Sequence, residues 1–462
     1  VNSLPARHVE LAWPELVLNL AEALEGVDDT ILIVGGAVRD AWLRRPVHDL
    51  DLISAGGGRR LARRIADRWH GDYYPLDEAR DVGRALIETP DGRLVVDVAR
   101  MRGDLEADLR DRDFTVNAMA VALDDLNALI DPLDGLVDLK AKRLRQCAPN
   151  SITNDPIRAL RAVRLSVQLG LRLEPVTLAA VRAGAPLLVR PSPERIRDEF
   201  FTLLGLPRPA AGLRLLRELG LLQAVVPALH TLDPAVWRHT LLRVERLNGL
   251  WETISPARTE ATAAQFALGM VVMALDRYRA GVYAHLGQTG SGGRTQRALL
   301  MFAGVTAALP VEEALAAGRA LRLSSAEVDW LGRAARAAPA AEVMGRPEPL
   351  AMHRYWRAAG AAGLDGLLLA LANTLATQAL AFDQDAWVRR LEAARLLLEA
   401  WFDRHAEIVA PPPLMSGIDL MQALQIKAGP QVGRLLDALR EAQVTGAVST
   451  VDEALALAES LK

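Results

Sequence analysis

The chain is poor in several features that locate or brace other proteins. Its 462 residues include one cysteine, Cys147, which excludes an intrachain disulfide framework and any zinc site built from several cysteines. A basic surplus is missing too. The net charge is −3, so contact with nucleic acid has to come from local patches and not from the molecule as a whole. No uninterrupted apolar run reaches membrane length. The nearest, Gly366 to Phe382, contains Asn373, Thr374, Thr377 and Gln378 and reads as a buried helix. Arg7, His8 and Glu10 interrupt any basic-then-apolar leader. There is no internal repeat of fixed period. These absences predict a soluble, cytoplasmic protein with no membrane contact and no evident obligate protein partner. Apolar residues are abundant, at 51%, enough for sizeable cores.

The chain changes character along its length. Residues 1–145 mix strand and helix signals. Glu10 to Leu24 has helical apolar spacing, and short apolar runs at 31–34 and 49–53 read as strands. Arg59 to Trp69 reads as a helix carrying Arg59, Arg60, Arg63 and Arg64. Arg84 to Glu88 and Leu94 to Val98 flank Pro90-Asp91-Gly92 and predict a β-hairpin. After about residue 150 the apolar residues recur at helical spacing almost to the end. Breaks are expected near Pro186 to Pro193, Pro207 to Pro209, Gly287 to Gly293, Pro339 to Pro349 and Pro411 to Pro413. The glycine-rich break reads as a mobile loop. The predicted class is α+β, with a small mixed sheet and helices first and an all-helical remainder. The expected divisions are 1–145, 146–205, 206–410 and 411–462.

The most informative segment is Gly35-Gly36-Ala37-Val38-Arg39-Asp40, followed by Asp49-Leu50-Asp51. An apolar strand runs into the two glycines, and the aspartates sit two apart on the next strand. Side chains two apart on a strand share a face. Two carboxylates held together repel unless a cation lies between them, and hard oxygen ligands suit Mg²⁺. Glycines at a helix start let a phosphate approach backbone N–H groups. A plain Gly-Gly turn and a solvated strand face account for the same residues. Arg112-Asp113-Phe114-Thr115-Val116-Asn117-Ala118 reads as helix capping with surface charge or as part of a site. Asp155-Pro156 is a good helix start. Arg158, Arg161 and Arg164, three apart, share a broad face that is either solvated or lines a polyanion groove.

Taken together, these segments resemble the bacterial tRNA nucleotidyltransferase/poly(A) polymerase family, the class II branch of the nucleotidyltransferases. The likeness rests on Gly35-Gly36-x-Val38-Arg39-Asp40, Asp49-x-Asp51, Arg112-Asp113-Phe114-Thr115-x-Asn117-Ala118, Asp155-x-x-Arg158 and Glu194-Arg195-Ile196, in the family's order and spacing. It covers roughly residues 28–205. Gly417-Ile418-Asp419-Leu420 and Gly429-Pro430-x-Val432-Gly433 are similar to the family's C-terminal segment. The resemblance implies a head over 1–145, a helical neck over 146–205, a body over 206–410 and an RNA-binding tail over 411–462.

It also implies roles. Asp49 and Asp51 would be catalytic and hold Mg²⁺. Gly35, Gly36 and Arg39 would hold the triphosphate, and Arg112, Asp113 and Asn117 the incoming nucleotide. Asp155 and Arg158 would read the base edge of CTP or ATP. Arg161, Arg164 and Arg195 would bind RNA. The implied activity is template-independent addition of C, A or both to tRNA 3′ ends, with poly(A) addition or a catalytically silent RNA-binding homologue as alternatives. The chain departs from the family's pattern at Asn154, where glutamate is usual, at Asp111, where a basic residue is common, and at Leu136, where a glycine is usual. The stretch between Arg100 and Asp111 is shorter than in many enzymes that add the whole of CCA, which implies a partial adder. Trp237-Arg238-His239 resembles the first metal histidine of HD-type phosphohydrolases, but the later His-Asp dipeptide is missing. The expected body is a degenerate, structural HD-like domain, with His239 a core or surface histidine.

Overall fold

The strand Ile31–Val34 (β2) is buried along its whole length, which explains its unbroken apolar run. The computed structural model describes residues 4–24, 29–47, 49–89, 92–101, 103–256, 266–290 and 292–462. Among these, β2 lies inside an eight-stranded sheet formed with Ala6–His8 (β1), Asp49–Ser54 (β3), Asp72–Asp77 (β4), Val82–Thr89 (β5), Gly92–Arg100 (β6), Ala120–Ala122 (β7) and Asp125–Ile130 (β8). The order is β1-β8-β7-β2-β3-β6-β5-β4. Each pairing is antiparallel except that of β3 with β6, which run parallel with Asp51 opposite Asp97. On β3 the alternation is strict at its start: Leu50 and Leu52 are buried and Asp49 and Asp51 open. The predicted hairpin is β5–β6; Pro90 and Asp91 of its turn lie outside the described residues.

Helices are interspersed with these strands and follow them in the chain. They are Glu15–Ala23 (α1), Gly36–Trp42 (α2), Gly58–Arg68 (α3), Leu105–Arg110 (α4), Gly135–Lys140 (α5), Ser151–Asn154 (α6) and Ile157–Leu169 (α7). The first helix starts five residues later than the periodicity from Glu10 predicts, after Trp13-Pro14, because β1 and its extension occupy the preceding residues. Segment 113–123, without strong periodicity, becomes a 3₁₀ turn Thr115–Asn117 followed by β7. At Gly135 a Cβ would lie 2.1 Å from the Thr115 carbonyl oxygen, so only glycine lets α5 start against that turn. Asp138 on α5 is fully buried and accepts from Thr115 Oγ1, Arg143 Nε and Arg145 Nε at 2.5–2.8 Å. Its charge is therefore compensated on all sides.

The chain forms two compact units, one up to Ser192 with Leu219–Ala224, the other Pro193–Glu218 with Val225–Lys462. The class is α+β, as predicted, with a larger sheet than the small one expected. Among the described residues, one short strand follows residue 150: Arg172–Leu173 pairs in parallel with Arg143–Leu144.

The second unit is helical. Long helices Pro234–Ile254, Ser325–Val343, Ala362–Thr377 and Gln384–Phe402 carry its core. Ala362–Thr377 takes up most of the apolar stretch and is largely buried. Among the described residues no single helix is long and apolar enough to cross a membrane. Two local expectations differ. Pro339 lies inside Ser325–Val343 instead of ending it, and the break falls just before Pro349. The glycine-rich break is a hydrogen-bonded turn, apart from Ser291, which lies outside the described residues. Gln296 N–H donates to the Gln288 carbonyl and Gly290 N–H to that of Arg294, and Arg294 forms two 2.8 Å bonds to Glu327. The side chain of His239 is engaged: Nε2 lies 3.0 Å from Asn373 Oδ1. Buried Arg243 donates to the same Asn373 oxygen and to the Gly304 carbonyl. Burial lowers the pKa of Arg243 to about 10. The last helices, Gly417–Leu424, Pro430–Val444 and Val451–Ser460, enclose a core of their own around Leu420, Leu435 and Leu439.

Candidate active site

The β2–α2 turn is tight. Gly35 has φ +82 and ψ −141, a conformation that side chains disfavour. A Cβ there would stand 2.9 Å from Arg112 Nη1 and 3.1 Å from Asp51 Oδ2. The glycine thus leaves room where a cationic and an anionic side chain meet. Gly36 opens α2.

Around this turn lies a polar cleft of about 300 Å³, lined among others by Gly35, Gly36, Asp51, Arg112, Asp155 and Arg158. Asp113, Asn117 and Arg161 line it too, as do Asp108 and Asp111. Segments far apart in sequence therefore converge here, and all belong to the first unit. Asp49 shares the outward face of β3 with Asp51 but is not among the lining residues. Neither is Arg39, which is buried. Its guanidinium donates to both carboxylate oxygens of Asp40 and to Asn117 Oδ1. The guanidinium lies beside the turn, with Nη2 3.2 Å from where a Cβ at Gly36 would stand, and these three bonds leave two of its five N–H donors for a phosphate.

Asn117 in turn donates to Asp113 Oδ1 at 3.1 Å, and Arg161 Nη1 donates to Asp113 Oδ2 at 3.2 Å. Burial alone would raise the pKa of Asp113. The Arg161 charge, the Asn117 amide and the Phe114 N–H outweigh it and hold the carboxyl below its ordinary range. Asp51 goes the other way. Its carboxylate opens into the cleft, but the crowd of protein around it raises its pKa. Asp97 and Asp49 add to the rise, against the pull of Arg112 and Arg161.

Arg158 is anchored on backbone. Its Nη2 donates to the Asp111 carbonyl at 2.6 Å and its Nη1 to those of Arg112 and Ser151 at 3.2 Å. Asp155 links α6 to α7, and its carbonyl accepts from the Arg158 N–H at 3.1 Å. Arg164 lies on α7 outside the lining residues and donates to Gln168 at 3.0 Å. Arg195 is exposed on the helix Pro193–Leu204 of the second unit. Asn154 is also exposed.

The sequence reading missed Asp97. It stands opposite Asp51 across the parallel pair and is clamped by Arg84 with bonds of 2.7 and 2.8 Å. A lone carboxylate inside the apolar run Leu94-Val95-Val96-Asp97-Val98 was the available signal. Asp108, 3.6 Å from Arg112, was also missed. The donor set suits a hard cation: Asp51 and its neighbours are oxygen ligands whose mutual repulsion a divalent ion relieves. Among the described residues no three His, Cys, Asp or Glu side chains form a complete metal cage. Mg²⁺ needs none, since it keeps water and takes phosphate oxygens as ligands.

A glycine turn, the Asp51 carboxylate and arginines on one polar cleft define the nucleotide-handling class. Residues 31–145 match the Poly A polymerase head domain family. Residues 170–232 match the probable RNA and SrmB-binding site of polymerase A, and residues 373–458 the tRNA nucleotidyltransferase domain 2. The CC-adding tRNA nucleotidyltransferase of Geobacter sulfurreducens is 32% identical over 91% of this chain and 89% of its own. The A-adding tRNA nucleotidyltransferase of Deinococcus radiodurans is 33% identical over 92% of this chain and 94% of its own. In fold, the Thermotoga maritima CCA-adding enzyme, solved in complex with tRNA, aligns with a TM-score of 0.58 at 19% identity, covering 99% of this chain and 100% of that one. The chain belongs to the tRNA nucleotidyltransferase/poly(A) polymerase family and is a nucleotidyltransferase.

Proposed function

We propose that this enzyme extends tRNA 3′ ends with part of the CCA sequence, taking CTP or ATP without a nucleic-acid template. The observation that carries the transfer reading is the meeting of Asp51, Gly35 and Arg112 at one cleft, with Asp97 opposite Asp51 on the next strand. Asp49 and Asp51, with Asp97 beside them, would hold Mg²⁺. That ion, when bound, supplies charge neutralisation at the triphosphate and eases deprotonation of the RNA 3′-hydroxyl.

The chain's own residues do the positioning. The backbone at Gly35 and Gly36 and the Arg112 guanidinium face the phosphates. Asp113 fixes Asn117 and Arg161 at the ribose side. Asp155 and Arg158 read the base: carboxylate accepts and guanidinium donates, a pattern that fits the amino group and ring acceptor of C or A and fails against U and G. The carbonyls of Asp111, Arg112 and Ser151 hold the Arg158 guanidinium in place, so base reading is linked to the 111–112 backbone. Little covalent work is left to the protein, and alignment and charge dominate. The four-part division into head, neck, body and tail is kept, with Arg164 and Arg195 as RNA contacts. The body takes no metal in this reading, since the Arg243 guanidinium sits at its polar centre.

Partial addition is supported by the near-equal likeness to a CC-adding and an A-adding relative. The short stretch after Arg100 supports it too, since it is taken up by α4, capped where the Asp104 carboxylate accepts from the Ala107 N–H at 2.8 Å. The test is incorporation of labelled CTP and ATP, with Mg²⁺, into tRNA lacking CCA and into tRNA ending in CC, with the tails sequenced. Addition of only CC to the first, or only A to the second, is expected. A complete CCA made from the first substrate refutes partial addition, a long A tract points to poly(A) synthesis, and no incorporation anywhere refutes the enzyme reading.

A further inference from the structure

Helix α3 has no part in the cleft. It packs on β4, β5 and β6 through buried Leu61, Ala62, Ile65 and Ala66. A Cβ at Gly83 would meet Ala62 at 2.9 Å, and Gly83 pairs with Val98 on β6. The Val98 side of the sheet therefore faces α3, and Asp97, one residue away, faces the other side. So α3 covers the face opposite the carboxylates.

Its outer side is strongly basic. Gly58–Arg68 holds five arginines and one acid, Asp67, in a chain of net charge −3. Arg60, Arg63, Arg64 and Arg68 are exposed. Arg59 is engaged with Glu78 and Asp81. The other four form no ion pair among the described residues. Instead Arg63 lies over the Tyr73 ring at 4.8 Å and Arg68 over the Trp69 ring at 5.5 Å. Tyr73 is thereby placed on the α3 side of the edge strand β4, while its neighbour Tyr74, paired with Arg84, faces the other side.

We propose that this face is a second RNA-binding surface, taking the phosphate backbone of an RNA strand on the side of the sheet away from the cleft. Like charges crowded on one helix repel, and a polyanion relieves that cost. Guanidinium groups match phosphate oxygens in pairs. The rings interleaved with them offer stacking platforms for unpaired bases, which an acidic peptide or a lipid surface would not use. The proposal rests on RNA being the acceptor in the cleft reading.

The test compares the full-length protein with a variant carrying Arg60→Gln, Arg63→Gln, Arg64→Gln and Arg68→Gln, and with one carrying Lys at the same four positions. Fluorescence anisotropy reads binding of labelled tRNA and of a 3′-blocked unstructured RNA across a salt series. The Gln variant is expected to bind about tenfold or more weakly at low salt, with a log–log salt slope shallower by about 3, from four charges at roughly 0.7–0.9 each. The Lys variant should keep most of the affinity, and incorporation at saturating RNA should persist in both. If the Gln variant melts early, Arg64→Glu alone replaces it, with a smaller loss expected. Unchanged affinity and slope overturn the proposal. So does binding of phosphatidylglycerol vesicles that the Gln variant loses while its RNA binding stays intact. Failure of the wild type to extend any tRNA sinks the cleft reading instead, while this surface is judged on binding alone.

Discussion

Gly35→Ala tests the cleft most directly. At φ +82 and ψ −141, an alanine backbone there costs about 1–3 kcal/mol. The new methyl would stand 2.9 Å from Arg112 Nη1 and 3.1 Å from Asp51 Oδ2, closer than side-chain carbons normally approach. The guanidinium is the end of a flexible side chain and gives way, so the protein still folds. Its phosphate-facing position does not survive. A displacement of that size at a reacting centre costs about 100-fold in rate, or about 2.7 kcal/mol of transition-state stabilisation. Gly170→Ala is the control. Gly170 has φ +66 and ψ 32 with nothing within 4 Å of a Cβ, so it carries a backbone cost of about 1 kcal/mol and no steric one. The assay is kcat/KM for nucleotide incorporation into tRNA beside a thermal melt of each protein. Gly35→Ala should lose about 100-fold activity, and Gly170→Ala should lose stability only. Activity of Gly35→Ala within about threefold of wild type would refute the reasoning, as would equal activity losses in the two variants.

Other outcomes follow from the charges. Because the folded pKa of Asp51 is raised by burial, its stabilising effect is complete in acid and lost as pH rises through that value. Asp51→Asn should therefore melt higher than wild type at neutral pH without Mg²⁺, lose the stabilisation that Mg²⁺ gives wild type, and abolish incorporation; a lower metal-free melting point counts against this account. Asp113 is the reverse. Burial opposes its ionisation, but Arg161 and its hydrogen bonds prevail, so its stabilisation is present above the ordinary aspartate range and lost as pH falls through the lower folded value. Asp113→Asn should flatten the acid limb of stability measured by melts between about pH 3 and 7, and an unchanged limb would contradict it. Burial, with Asp113 nearby, pushes the Cys147 thiol up to about 12. Iodoacetamide should modify it far more slowly in the native protein at pH about 8 than in urea, since the thiolate is the nucleophile, and equal rates would show the thiol is not shielded.

Much of the first unit was legible in the sequence. The apolar runs at Ile31–Val34 and Asp49–Ser54 carry their period openly, and the glycines and aspartates mark the turn and face they occupy. Asp97 was hidden because nothing local links residue 97 to residue 51; only the parallel pairing does. The partners of Arg39 were hidden for a related reason. A sequence shows that an arginine is near a phosphate turn, but its buried partners Asp40 and Asn117 decide which way its donors go. The glycine-rich turn at 288–296 looked loose from composition, while Arg294 and Glu327, 33 residues apart, hold it. Helix periodicity was clear through the second unit, but Pro339 gave a false stop because tertiary packing tolerates one lost N–H in a long helix.

The parallel pairing of β3 with β6 also bears on how the protein matures. The hairpin β5–β6 can close on its own local contacts, but β6 meets β3 only after the intervening chain, α3 through β5, has been brought round, an entropic cost that local structure does not share. Until that closure Asp51 and Asp97 are strangers in the chain. If these carboxylates hold Mg²⁺ as proposed, affinity for the ion would appear together with completion of the sheet, and Mg²⁺ binding would mark the chains that have finished folding from those that have formed only their local parts.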